Sequence, residues 1–233
     1  MRKWFPYLTF TVFALTAVPS LIGLAYPPFE VALRRDPTLI AGGQWYRLVS
    51  SLVTQDGGAL GFASNLGFLM VLGILAERRL GRWRWLVLYL GGAAAGQATG
   101  YLAGTVGAGN SIANLGLAGG LVAAFALGRA WRVDAAVSNL FILLIAVGGL
   151  DGDTARTVGF VVAVCLGGLM VARRELVSRW VYLGIAVAVG IWLSALANLH
   201  GPALLTGLAV GVLITTGVVP EPEPAVVGRG AAR

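Results

Sequence analysis

Eight apolar runs follow one another along the chain, at roughly 5–26, 59–77, 85–104, 109–129, 135–150, 154–172, 180–198 and 199–219. Crossing a bilayer as a helix takes about 20 such residues, fewer where neighbouring helices shield the ends. The pattern therefore predicts an all-α, polytopic transmembrane helix bundle of about eight spans. The fifth run is short, and the seventh and eighth nearly abut. The longest connection, about 27–58, holds Pro27, Pro28, Trp45 and Tyr46. Its aromatics suit a membrane interface, and a loop of this length is more often functional than idle. After Val219 the chain reads Pro-Glu-Pro-Glu-Pro and ends in Gly, Ala and Arg. The organisation expected is a transmembrane domain over 1–219 and a disordered cytoplasmic tail over 220–233. No internal repeat stands out.

Charge tests this count independently. With the N-terminus placed in the cytoplasm, the inner side holds Arg2, Lys3, Arg78, Arg79, Arg82, Arg84, Arg129, Arg132, Arg173, Arg174, Arg179, Arg229 and Arg233. The outer side holds Arg34, Arg35, Arg47 and Arg156. Such a bias favours both termini inside and an even number of spans, and a wrong count would scramble the alternation. Composition agrees: the 233 residues are 58% hydrophobic and 12% charged, about half the charge of a soluble domain. The net charge of +7 does not point to nucleic acid, because the basic residues sit in short loops between apolar runs. A single cysteine, Cys165, excludes an internal disulfide. The first run lacks an A-x-A cleavage site and is read as a retained anchor.

Polar side chains are costly inside hydrocarbon and are functional hypotheses by default. Asn65 in span two, Ser111 at the start of span four and His200 at the start of span eight stand out, with Gln97, Asn114 and Asn139 beside them. Spans two, four and eight all run inward. Asn65 lies about two turns in, roughly 10 Å at 1.5 Å per residue, and the other two lie at helix heads. The three share the outer third of the membrane, where a cavity can admit water. A serine, the only histidine and an asparagine at one level can act as nucleophile, base and oxyanion donor. Each also has a plainer reading: a packing serine, an interfacial histidine, and an asparagine that glues helices. Span eight carries Ala203, Gly207 and Gly211 at four-residue spacing, and span four carries Gly116, Gly119 and Gly120. If these faces meet, the backbones approach closely enough to bring the imidazole to the hydroxyl.

Residues 43–48, Asn65, residues 75–81 and 109–111, and His200, in that order along the chain, resemble the rhomboid family of intramembrane serine proteases. Gly43-Gln44-Trp45-Tyr46-Arg47-Leu48 is similar to the G-x-W-x-R-hydrophobic stretch of the first rhomboid loop. Asn65 falls at the Asn of H-x-x-x-N, and Leu75 through Gly81 resembles the charged exit of that helix. Gly109-Asn110-Ser111 matches the first three positions of G-x-S-G, with Gly116 and Gly119 keeping the downstream spacing. His200, with Gly207 seven residues on, resembles the His-led final core helix. The resemblance implies a Ser–His dyad without a carboxylate: Ser111 as nucleophile, His200 as general base and then acid, and Asn65 with the Ser111 N–H holding the oxyanion.

Three departures accompany it. Gly61 replaces the His of H-x-x-x-N, Ile112 replaces the last Gly of G-x-S-G, and His200 comes 89 residues after Ser111. Two added spans, 135–150 and 154–172, account for that gap. A rival alignment sets Cys165, in Cys-Leu-Gly-Gly, at the histidine position, which would leave no dyad. The expected activity is cleavage of transmembrane-helix substrates near the outer face of the plasma membrane, with partners being such membrane proteins and the lipid bilayer, and no nucleic acid. No metal or organic cofactor is implied. The alternative is a catalytically inactive rhomboid-like protein that binds membrane clients. A small transporter or channel is disfavoured, since no span pairs charges near its midplane.

Overall fold

All eight apolar runs fold as helices. The computed structural model describes residues 5–216, so the tail expected over 220–233 and the end of the eighth run lie outside the described residues. In chain order the helices are α1 Tyr7–Ala25, α2 Pro27–Leu33, α3 Pro37–Ala41, α4 Arg47–Ser50, α5 Gly58–Leu80, α6 Arg82–Leu102, α7 Ser111–Ala126, α8 Arg132–Ala146, α9 Asp153–Ala172, α10 Arg179–Ala195 and α11 His200–Thr215. The three short ones, α2 to α4, fold up the long connection. Local chemistry sets their ends. Pro27 and Pro37 open α2 and α3, where a missing N–H costs nothing. The Asp36 side chain caps α3 by accepting from the Thr38 and Leu39 N–H groups. Only Gly81, at φ 87°, separates α5 from α6.

The charged exit of α5 is helical to Leu80 rather than ending near 77, because its charges find partners. Glu77 accepts from the N–H groups of Leu8 (3.1 Å) and Thr9 (2.8 Å) and from the Thr9 hydroxyl (2.8 Å). A carboxylate thus satisfies donors that the first turn of α1 leaves open. Arg79 pairs with buried Asp134 at 3.0 Å and stacks on Trp131, 3.2 Å from the ring centre. Arg84 donates to the Ile214 carbonyl at 2.7 Å, and Arg132 to the Glu175 carbonyl at 2.8 Å. These bonds gather the arginine-bearing turns at one end of the bundle. The other end carries the 26–57 segment and the turns at 103–110 and 196–199. The alternation read from charge is the alternation of the fold.

Among the described residues, four helices are long and apolar enough to cross a membrane: α1, α5, α8 with its short 3-10 extension to Gly149, and α9. Three more apolar helices, α7, α10 and α11, have only 16 or 17 residues. At 1.5 Å per residue they reach about 25 Å, short of the ~30 Å hydrocarbon thickness. Of these only α7 lies in the interior; α11 is partly buried, and α10 buries only Tyr182, Ala186, Gly190 and Leu193. Every residue of α7 after Ser111 is buried, and α6 and α11 flank it. α1 packs on α5, and α9 packs on α8 at the periphery.

Candidate active site

The seam between α7 and α11 decides where Ser111 and His200 sit. A Cβ on Gly207 would lie 2.8 Å from the Gly116 Cα, and one on Gly211 would lie 2.8 Å from the Gly120 Cα. A Cβ on Gly119 would lie 2.7 Å from the Leu204 carbonyl oxygen. The two small-residue faces therefore do meet, backbone against backbone. Without water to drive apolar surfaces together, such close van der Waals packing is what associates membrane helices. It sets the two helix heads side by side.

The strand-like stretch before α7 is clamped in place. Arg35 and Gly107 exchange backbone hydrogen bonds of 2.9 and 3.1 Å. The buried Arg35 guanidinium also donates to the Thr105 carbonyl (2.9 Å) and to Gln97 Oε1 (2.9 Å). Burial pulls its pKa below the ordinary arginine value, and the nearby Asp56 charge opposes that shift. Asp56 accepts the Ala108 N–H at 2.8 Å. Gly109 takes φ 145°, and a Cβ there would sit 3.2 Å from Gln55 Oε1. This glycine lets the chain turn into α7 with Ser111 as its first residue.

At the head of α11 the turn is equally specified. α10 ends with bonds from the Ala197 N–H to Ser194 (3.0 Å) and from the Asn198 N–H to Leu193 (2.9 Å), the closing pattern of a Schellman motif. Its left-handed position is filled by Ala197, at φ 53°, rather than glycine. An alanine held there costs about 1 kcal/mol. A Cβ on Gly201 would collide with Ser194, so only glycine lets α11 start this close to α10.

Ser111 Oγ and His200 Nε2 are 2.8 Å apart, joined by a hydrogen bond across 89 residues of sequence. His200 Nδ1 lies 2.8 Å from Asn198 Oδ1, which also accepts the His200 backbone N–H at 3.0 Å. Asn65 comes close to Gly109 but does not line the cavity beside Ser111. A Cβ on Gly109 would be 3.4 Å from Asn65 Nδ2 and 3.9 Å from Ser111 Oγ. One Nδ2 hydrogen goes to Gln55 Oε1 at 2.7 Å, and Gln55 in turn donates to Asn110 Oδ1 at 3.0 Å. The other hydrogen is left for a further acceptor. A cavity of about 350 Å³ opens here, lined by Arg35, Asp56, the 105–109 stretch, Ser111, Asn198 and His200.

Two of the three sequence departures have steric causes. A Cβ on Gly61 would collide with the Asp56 carbonyl, so the turn into α5 fills the space a larger side chain would need. Ile112 does not face the cavity. It is 1% exposed and packs on α6, where a Cβ on Gly96 would fall 2.6 Å from its Cγ2. Cys165 is exposed on α9, which packs on α8 and away from this cavity. The other intramembrane polar residues serve packing. Gln97 bridges Arg35 to the Ser51 hydroxyl, Asn114 donates to the Asn65 carbonyl, and Asn139 bonds within its own helix.

Asn198, Gln55, Arg35 and Asp56 escaped the sequence reading. Asn198 carried a usable signal: an asparagine two residues before a helix-opening histidine is placed to bond that residue's N–H. The others come from the long connection, whose fold no hydropathy pattern encodes. Among known proteins, the family model described as Rhomboid domain matches residues 42–173. The match takes in Asn65 and Ser111 and ends before α10 and α11, which bring His200. No curated protein and no solved structure matches the chain.

Proposed function

The chain belongs to the rhomboid family, and on that footing we propose that it is an intramembrane serine protease working through Ser111 and His200. The observation that carries the reading is the 2.8 Å bond between Ser111 Oγ and His200 Nε2 at the wall of an open cavity. In the proposed reaction the serine hydroxyl gives its proton to Nε2 as its oxygen attacks the scissile carbonyl. The resulting oxyanion takes hydrogen bonds from the Ser111 N–H and from Asn65 Nδ2, each worth about 3 kcal/mol in the transition state. The first-turn N–H groups of a helix have no intrahelical acceptor, so that of Ser111 is suited to the part. The imidazolium then protonates the leaving amine, and water admitted by the cavity releases the acyl group by the reverse sequence.

The substrates are membrane proteins with a transmembrane helix, cut near the outer end at small residues in locally unwound segments. The protein lies in the plasma membrane with both termini cytoplasmic. This places the arginine-rich end inside and the cavity at the outer leaflet. The test is co-expression with a tagged single-span reporter. Ser111→Ala and His200→Ala each lower cleavage at least about 1,000-fold, to background. Cleavage that persists in both variants refutes the mechanism. A wild type that cuts no reporter and takes no fluorophosphonate label is instead an inactive, client-binding relative.

A further inference from the structure

We infer that Asn198 is a positioning residue for His200, making the site a Ser–His–Asn array rather than a dyad. The inference deepens the protease reading and rests on it. Its physical basis is an assignment of hydrogens that the heavy atoms leave only one way to make. A backbone N–H can only donate, so the Asn198 atom 3.0 Å from the His200 nitrogen is the amide oxygen. The same oxygen lies 2.8 Å from Nδ1. An oxygen without hydrogens cannot donate, so Nδ1 must carry the proton. In the neutral ring that leaves the lone pair on Nε2, aimed at the Ser111 hydroxyl 2.8 Å away. Asn198 thereby selects the tautomer in which His200 can take the serine proton.

Two features of the turn fit that role. The left-handed Ala197 strains the chain immediately before Asn198, and strain of this kind persists where the surroundings require a particular geometry. Asn198 also lines the cavity beside His200 and Ser111, so it orients the ring from the reaction side. An amide does this without adding a second charge to a half-buried, membrane-level site, where a carboxylate would carry a desolvation cost. A helix-start cap alone would engage the backbone N–H and leave the ring free. Here one oxygen fixes both.

The chain's only histidine makes the inference directly measurable. With 15N-histidine in the full-length protein in detergent micelles, the ring nitrogens give one unambiguous set of signals. At a pH where the ring is neutral, wild type shows the proton on Nδ1. Asn198→Ala loses this preference, and cleavage falls about 100-fold in kcat with KM within about twofold. Asn198→Asp, which keeps the acceptor, restores the Nδ1–H form and most of the rate. An Nε2–H ring in wild type, or an Asn198→Ala variant with unchanged tautomer and rate, overturns the inference. If Asn198→Ala is not recovered folded, Asn198→Asp decides: an Nε2–H ring there overturns it, and an Nδ1–H ring upholds it. Should wild type neither cut nor label while its tautomer still depends on Asn198, the positioning role stands and the protease reading falls.

Discussion

α7 and α9 are both glycine-containing apolar helices, yet they occupy opposite environments. α7 is buried along its length after Ser111, whereas α9 buries only Ala163, Gly167 and Met170. Hydrophobicity does not separate them, since in a bilayer lipid tails solvate an apolar side chain as well as protein does. Backbone access does. The glycines of α7 touch the main chains of α6 and α11, while of the three in α9 only Gly167 meets a backbone, with a Cβ there 3.0 Å from the Leu140 Cα, and a Cβ on Gly168 would meet nothing within 4 Å. A glycine in a membrane helix is informative only through what lies against it. At the α7–α11 seam it is what lets a hydroxyl and an imidazole from distant parts of the chain share a proton.

The largest test of this contrast is Gly207→Val. Its branched side chain would press on the Gly116 backbone, which has no rotamer with which to yield. The expected cost is about 3 kcal/mol, seen as a lowered Tm in detergent together with loss of fluorophosphonate labelling at Ser111. Normal stability and labelling would show that the seam does not set the site. A smaller effect is expected from Gly96→Ala, whose new methyl pushes on Ile112, the neighbour of Ser111. Cleavage should fall about 10-fold with the fold intact, because displacing a reacting group by a fraction of an ångström is enough. Adding Ile112→Ala should recover most of that loss, and strictly additive losses would mean that the two residues do not couple. The smallest effect belongs to Gly168→Ala, expected within about 0.5 kcal/mol of wild type by thermal unfolding. A large loss there would reveal an occupant on the outer face of α9.

The same contrast explains what could be read in advance. The eight apolar runs were legible because hydropathy and loop charge are local properties that a bilayer imposes segment by segment. Ser111, His200 and Asn65 stood out because a polar group at that depth is rare and because the spans place them at one level. Asn198 and Gln55 did not, since each matters only through a partner that folding supplies. Gly61 and Ile112 looked like defects in sequence. In the fold, Gly61 makes room for the Asp56 carbonyl, and Ile112 turns into a niche left by Gly96.

The sequence by itself determined the helical class and the order of the apolar helices, and it set an expected depth for each candidate side chain. Only the tertiary structure decided which of them are neighbours in the membrane plane. Depth follows from counting 1.5 Å steps along one helix, a running sum that any single segment carries. Lateral position depends on how side chains from different helices interlock. A hydrogen bond tolerates only a few tenths of an ångström, and that accuracy arises here from glycine faces, Gly116 on Gly207 and Gly120 on Gly211, that lie 91 residues apart in sequence.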